Sequence, residues 1–156
     1  MVEIERKYLV KDDSYKMLAQ KAGLIVQGYL GDNPLSETRV AIRDNHGWLF
    51  VKDKNTLKRY EWCQEIPLRE AIDLLQLCPN VVRKVRYIVS HEGRKWEVDE
   101  FLGDNAGLVI AECELLHEDV VPELPGFVGE EVTEDTKYYN CNLASNPYLN
   151  WDDDSE

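Results

Sequence analysis

The first segment of the chain carries charged side chains at alternate positions. Glu3, Glu5 and Lys7 recur with a period of two, and Ile4 and Tyr8 fall in the opposite phase. In a β-strand this period puts the three charges on one face. Two carboxylates about 4 Å apart repel by roughly 4 kcal/mol at an effective dielectric near 20, so enclosed carboxylates need a cation nearby. The face therefore predicts a site for metal ions or phosphate; a solvated edge strand is the alternative.

The composition indicates one folded unit with an acidic surface. A chain of 156 residues with 44% hydrophobic content is long enough for one core. We expect a single domain over residues 1–150 and an acidic, frayed tail over residues 151–156. The net charge of −12 excludes nucleic acid and anionic membranes as general partners, because both bind basic surfaces. A polyanionic ligand would need a locally basic pocket.

The apolar runs and the cysteines predict a cytoplasmic protein. The longest apolar runs are short and interrupted by charge, and the first residues carry Glu and Lys rather than an apolar signal core. Cys63, Cys78, Cys113 and Cys141 show no CxxC spacing. We therefore expect free thiols in a reducing compartment and assign no zinc. The oligomeric state stays open, and a homodimer is compatible with the sequence.

The remaining pattern predicts many short strands and three helices. The helices are expected at residues 12–23, at residues 67–78, and in a short segment that Thr133 caps. Trp48, Trp62 and Trp96 alternate with charged neighbours and are interpreted as outer packing.

One face of almost every predicted strand is charged, and the other face is apolar. Roughly eight antiparallel strands closed into a tunnel, with helices packed on the outside, would satisfy both faces and remove the sheet edges. The fold class is then α+β, mainly antiparallel β. An open sheet with one wet face is the alternative. The charged face carries Glu3, Glu5, Lys7, Arg39, Lys52, Arg59, Glu61, Lys84, Arg86, Glu97, Asp99, Glu112 and Glu114.

The sequence resembles the CYTH superfamily, the triphosphate tunnel metalloenzymes, from Glu3 to about Asn142. The opening residues 3–7 look like the family's ExExK signature, which alone is weakly specific. An ordered set of further segments along the chain makes the resemblance specific. These segments are Gln27-Gly28-Tyr29-Leu30, Val51-Lys52, Lys84-Val85-Arg86-Tyr87, Trp96-Glu97-Val98-Asp99, Ala111-Glu112-Cys113-Glu114 and Glu131-Val132-Thr133-Glu134-Asp135.

The resemblance implies a closed tunnel that binds a small triphosphate together with Mg²⁺ or Mn²⁺. Taken with the charged face, it assigns three sets of side chains. The predicted metal ligands are Glu3, Glu5, Glu112, Glu114 and Asp99. The predicted substrate-binding residues are Lys7, Arg39, Lys52, Arg59, Lys84, Arg86 and Lys137, with Lys137 closing one end of the tunnel. The predicted catalytic residues are Lys7, Lys84 and Glu61.

Two positions depart from the family's pattern. Ala41 stands where a second arginine of an Arg-x-Arg pair is usual, and Cys63 stands between Glu61 and Glu65 where a glutamate is usual. One phosphate contact and one carboxylate would then be missing. Arg43 could compensate after a two-residue slip of its strand.

The sequence therefore predicts an enzyme, a metal-dependent triphosphatase. Water would attack a terminal phosphorus of inorganic triphosphate or a related small triphosphate, and charge neutralisation would supply most of the catalysis. A class IV adenylyl cyclase and a thiamine triphosphatase are alternatives on the same fold, and Tyr29 or Phe50 could stack on a base. A polyphosphate- or nucleotide-binding module without turnover is the alternative of a different class, given Ala41 and Cys63.

Overall fold

A computed structural model describes the backbone of residues 1–154 and the side chains of residues 1–151. The described chain is mainly antiparallel β with three short helices. The strands are β1 Val2–Val10, β2 Lys21–Asp32, β3 Ser36–Arg43, β4 His46–Asp53, β5 Lys58–Ile66, β6 Val81–His91, β7 Arg94–Phe101, β8 Val109–Leu115 and β9 Val128–Glu131. The helices are α1 Tyr15–Leu18, α2 Leu68–Leu75 and α3 Asn140–Ser145, with 3-10 turns at Gly103–Asn105, Thr136–Tyr138 and Tyr148–Asp154.

Strands β1 to β8 close into a ring. Their order is β5-β4-β3-β2-β6-β7-β8-β1, and the pairing of β1 with β5 completes it. The first residues of β1 pair with β5, and the added strand β9 pairs with β1 at Tyr8 and Val10. Closure removes the long unpaired edges of an open sheet. The predicted antiparallel tunnel of roughly eight strands is confirmed, and β9 is an addition to it.

One apolar cluster covers the outside of β1, β7 and β8. Tyr8, Trp96 and Val98 lie in phase opposite to the charged residues, and all three are buried. Tyr15 of α1 and Phe127 of the segment before β9 pack onto the same cluster. The apolar outer face is therefore covered here by a single helical turn and a loop, where the sequence predicted helices.

A second apolar cluster fills one end of the tunnel. Four hydrophobic residues each lie two positions from a charged residue that faces the tunnel on the same strand, so they share that face. They are Leu9, Val82, Phe101 and Ile110. Leu143 of α3 packs against them and is fully buried. We call these five residues the apolar plug. The interior is charged along much of its length but ends in hydrophobic packing.

The helix predicted for residues 12–23 is wrong. Only Tyr15–Leu18 is helical, and residues 21–28 form strand pairs with β6. Met17 is 92% exposed, so this segment has no apolar stripe that burial would hold in a helix. The backbone hydrogen bonds of the barrel decide the conformation instead.

The cap predicted at Thr133 is also wrong. The backbone N–H of Lys137 donates to the side chain of Asp135, which begins the short 3-10 turn. Thr133 is buried, and its hydroxyl accepts a hydrogen bond of 3.0 Å from the backbone N–H of Lys7. Thr133 therefore joins the late segment to β1.

Trp48 is not outer packing as predicted. It shares the inner face of β4 with Phe50 and Lys52 and lines a small cavity near one mouth of the tunnel. Trp62 lies on the outer phase of β5 and is 43% exposed. Strand β4 carries hydrophobic residues in both phases, so hydrophobic character alone does not indicate which face Trp48 takes.

The predicted tail begins within the last 3-10 turn. Trp151 packs edge to face against Tyr138 and Tyr148, with ring centroids 5.1 Å apart in both pairs. Residues 155 and 156 lie outside the described part of the chain. The division into a domain over 1–150 and a tail over 151–156 stays a prediction.

Helix α2 packs on the outer face of β2, β3 and β4 through small residues. Ala71 is fully buried, and a Cβ added to Gly47 would lie 2.6 Å from the Cβ of Ala71 and 3.0 Å from the carbonyl oxygen of Ile66.

Over the described residues, no helix combines the length and the apolar character needed to cross a membrane.

We predict that Gly47→Ala destabilises the fold by roughly 1–3 kcal/mol, because the added methyl group overpacks the contact between β4 and α2. Gly126→Ala is the matched control, since a Cβ there would meet no atom within 4 Å. Urea unfolding of both variants measures the effect. Equal stability of the two variants would contradict the packing described for α2.

Candidate active site

A charged cavity of about 160 Å³ lies inside the barrel. It collects side chains from β1 and from β3 to β8, because the residues of one phase on each strand face the same enclosed space. The predicted site residues that line it are Glu3, Glu5, Lys7, Arg39, Lys52, Arg59, Glu61, Lys84, Arg86, Glu112 and Glu114. Two predicted site residues, Asp99 and Lys137, are absent from this lining.

Lys7 lies between two carboxylates. Its Nζ is 2.9 Å from an oxygen of Glu112 and 3.2 Å from an oxygen of Glu5. Burial would lower the pKa of Lys7, but Glu112 and Glu5 together raise it, so the ammonium stays charged. The Nζ also lies 4.6 Å from the ring centre of Tyr139. This one cation holds β1 and β8 together electrostatically.

The two carboxylates beside Lys7 differ in their affinity for protons. Burial and the negative charge of Glu112 raise the pKa of Glu5 to about 8. Burial alone would also raise the pKa of Glu112, but Lys7, Arg86 and Lys84 hold it well below its usual range. Without a bound metal ion the Glu5 carboxyl group is therefore mostly protonated at neutral pH, and an added cation would favour its ionised form.

Lys52 bridges β1 and β5 with longer contacts. Its Nζ is 3.7 Å from Glu3 and 3.5 Å from Glu61. Burial and the nearby guanidinium of Arg39 lower the pKa of Lys52. Both N–O distances are longer than those of well-formed hydrogen bonds, so the ammonium group of Lys52 keeps N–H donors available for a ligand.

Asp99 holds two cations from behind the lining. It is fully buried; Arg86 donates to both of its oxygens at 2.7 and 2.8 Å, and Lys84 lies 2.9 Å away. This places Asp99 differently from the prediction, because a carboxylate occupied by two cations has little capacity for a metal ion. Its position suits the orientation of Lys84 and Arg86 toward the cavity.

Lys137 lies away from the cavity rather than over its end. Its Nζ is 5.3 Å from the ring centre of Tyr138 and 4.8 Å from that of Trp151. The residues that reach the tunnel from this late segment are instead Tyr139 and Asn140. The 3-10 turn rotates Lys137 outward, which a helix prediction starting at Thr133 did not anticipate.

Sequence reasoning missed five polar residues that face the tunnel. Glu37 lies 3.5 Å from Arg59, and its signal was the period of two that continues from Arg39. The side-chain oxygen of Asn140 accepts from Lys84 at 2.8 Å and from Gln27 at 3.0 Å. Asn140 had no detectable signal, because it lies in no strand. The five residues are Gln27, Glu37, Lys95, Tyr139 and Asn140.

The aromatic side chains considered for base stacking are occupied. The guanidinium carbon of Arg39 lies 4.7 Å from the ring centre of Phe50. Tyr29 is buried, and its hydroxyl accepts a hydrogen bond from Gln27. Arg39 therefore covers one face of Phe50, and Tyr29 is absent from the lining of the cavity.

The donor set fits a hard divalent cation in chemistry but is not preassembled. Glu3, Glu5, Glu112 and Glu114 supply carboxylate oxygens, the ligands that Mg²⁺ and Mn²⁺ prefer. The described residues contain no group of three acidic, His or Cys side chains already arranged around one ion. Burial raises the pKa of both Glu3 and Glu114, with neighbouring carboxylates adding to the effect. A bound cation would relieve the repulsion between these neighbouring carboxylates.

The closed antiparallel tunnel and its interior of opposed charges define a member of the CYTH class, as the resemblance predicted. No protein-family model matches the chain. The chain is 47% identical over 152 residues to an inorganic triphosphatase of Acetivibrio thermocellus, covering 96% of this chain and 97% of that protein. It is 33% identical over 149 residues to an inorganic triphosphatase of Nitrosomonas europaea, covering 92% and 97%.

A solved structure agrees with these relatives. The crystal structure of the inorganic triphosphatase NE1496 matches with a TM-score of 0.65 and 30% identity, covering 91% of this chain and 97% of that one. The chain therefore belongs to the inorganic triphosphatase family, a family of hydrolases.

We predict that Lys84 makes triphosphate binding pH-dependent. Burial lowers the pKa of Lys84 to about 8, so its ammonium is present below that pH and is lost above it. Because Glu5 titrates in the same range, both variants carry Glu5→Gln. Calorimetry without divalent ions should show affinity falling between pH 7 and pH 9 for Glu5→Gln. The fall should be smaller for Glu5→Gln/Lys84→Met, and equal slopes would contradict the assignment.

Proposed function

We propose that the protein hydrolyses inorganic triphosphate, or a related small triphosphate, with the help of Mg²⁺ or Mn²⁺. The observation that carries the proposal is the convergence of acidic side chains from β1 and β8 with basic side chains from β3, β4 and β6 on one enclosed cavity. A linear polyanion with a divalent counterion matches both signs of charge. The two curated relatives bear the name inorganic triphosphatase, which supports the choice of substrate.

The acidic side of the cavity would hold the metal. Glu3 and Glu5 of β1 and Glu112 and Glu114 of β8 are the candidate ligands. When bound, the ion would neutralise phosphate oxygens and lower the cost of charge in the transition state. Asp99 is left out of this set, because Arg86 and Lys84 already occupy its oxygens.

The basic side chains would bind and orient the phosphate chain. Arg39, Lys52 and Arg86 offer donors to non-bridging oxygens. Lys84 Nζ is held by Asp99 and by Asn140, so its remaining donor can stabilise charge on the leaving phosphate oxygen. In this arrangement the chain contributes mainly positioning and charge compensation, as phosphoryl transfer requires.

Glu61 is the candidate proton acceptor for the attacking water. Burial alone would raise the pKa of Glu61, but a hydrogen bond with Glu3 and the positive charge of Lys52 lower it. The group is therefore a carboxylate at neutral pH, as a general base must be. Lys7 would keep the neighbouring acidic ligands in place through its contacts with Glu5 and Glu112.

We further propose a cytoplasmic location and no nucleic-acid partner. All four cysteines are free thiols. Unpaired thiols suit a reducing compartment. The net charge of −12 opposes general binding to nucleic acid.

Phosphate release and binding, measured side by side, test the proposed function. Wild-type protein with inorganic triphosphate and Mg²⁺ should release orthophosphate, and chelation of the metal by EDTA should stop release. Calorimetry under the same buffer conditions measures binding. Binding without release would make the protein a polyphosphate-binding module and contradict the hydrolase.

We predict that Glu5→Gln lowers kcat by at least about 100-fold at saturating triphosphate, because one metal ligand is replaced by a neutral amide. Glu130→Gln is the control for loss of one negative charge, since Glu130 is exposed on β9. Raising Mg²⁺ should recover part of the activity of Glu5→Gln. Full activity of this variant at low Mg²⁺ would remove Glu5 from the metal site.

A further inference from the structure

Two arginines in the tunnel form no ion pair with a carboxylate of the described residues. Within the part of the chain that the structure describes, no carboxylate oxygen lies within 4.0 Å of a guanidinium nitrogen of Arg39 or Arg43. Lys7, Lys52 and Lys84, in contrast, each contact at least one carboxylate. Arg39 and Arg43, together with the more exposed Lys95, are therefore the lining cations that an anionic ligand can engage without competing with an ion pair.

Each of these arginines rests on an aromatic ring of β4. The guanidinium carbon of Arg39 lies 4.7 Å from the ring centre of Phe50, and that of Arg43 lies 5.3 Å from the ring centre of Trp48. Stacking of a planar guanidinium on an aromatic ring fixes its orientation and leaves its in-plane N–H donors free. The two pairs form a matched ladder along β3 and β4.

Trp48 occupies the space beside Ala41. The two residues are direct partners in the antiparallel register of β3 and β4, and both face the tunnel. The register between β3 and β4 is continuous from Ser36 to Arg43, so the strand has not slipped. Arg43 reaches the central cavity without the two-residue shift that the sequence required.

Buried donors in this region lack partners. The Nε of Arg39 and the Nε1 of Trp48 are buried without a hydrogen-bond partner among the described residues. Both side chains line the same cavity of about 30 Å³, together with Arg43 and Arg86. An unpaired buried donor is costly, so this corner of the tunnel favours a ligand rich in acceptor oxygens.

We propose that Arg43, oriented by Trp48, makes the phosphate contact that Ala41 cannot make. This inference rests on the proposed function and names a binding residue for the same substrate. Arg43 contacts phosphate oxygens of the triphosphate, and Trp48 is a positioning residue that acts through the guanidinium. Three residues separate Arg39 from Arg43, whereas one residue separates the two arginines of the family's usual Arg-x-Arg pair.

Steady-state kinetics of Arg43→Ala test the inference. The KM for inorganic triphosphate should rise at least about tenfold, the effect of losing one charge-assisted hydrogen bond, with a smaller change in kcat. Arg83→Ala is the matched control, because Arg83 lies on the outer phase of β6 and is exposed. A KM for Arg43→Ala equal to that of wild type and Arg83→Ala would overturn the proposal.

Two further variants separate the roles. Trp48→Leu should raise KM as Arg43→Ala does, and Trp48→Phe should stay near wild type, because it keeps a ring for stacking. An unchanged KM in Trp48→Leu would overturn the positioning role. Thermal melting of each variant confirms that it is folded.

The inference and the proposed function can fail separately. If wild-type protein releases no phosphate, the hydrolase proposal fails, and calorimetric binding of triphosphate to wild type and Arg43→Ala still tests Arg43. Tighter binding by wild type supports the inference in that case. Equal binding overturns it.

Discussion

The structure depends on one electrostatic constraint: most of the charges enclosed in the barrel are stabilised by charges of opposite sign. Removing an ion from water costs several kcal/mol unless a partner and hydrogen bonds compensate. Lys7 between Glu5 and Glu112, and Asp99 between Lys84 and Arg86, satisfy this condition. Every such pair joins residues from different strands or from alternate positions of one strand. The closed barrel and the charged interior therefore require each other.

The compensation is uneven, and the unevenness suits the function. Around Glu5 acid is in excess, which raises the pKa of this carboxyl group to about 8. Around Arg39 and Arg43 positive charge is in excess, because aromatic rings rather than carboxylates hold the guanidinium groups. A divalent cation at the first place and a phosphate chain at the second would complete the balance of charge. The ligand thus finishes a network that the chain leaves incomplete.

Much of this interior could be predicted from the alternation of residue types, because strands impose a period of two on side-chain direction. That rule places Glu3, Lys52 and Glu112 correctly on the tunnel face. It could not reveal the apolar plug, since Val82 and Phe101 share that face but are hydrophobic. It gave no information on Asn140, which enters the tunnel from a helix. Lys137 was misplaced because its orientation depends on a 3-10 turn. Trp48 was misplaced because tryptophan was expected to pack outside, although its phase with Lys52 places it on the tunnel face.

The central claim is that triphosphate and a divalent cation bind together inside this barrel. A crystal structure with inorganic triphosphate and Mn²⁺, using anomalous scattering to locate the metal, tests it most directly. The account predicts Mn²⁺ among the glutamates of β1 and β8, and phosphate density between them and the basic residues of β3, β4 and β6. Triphosphate or Mn²⁺ bound only on the outer surface of the barrel would contradict the account.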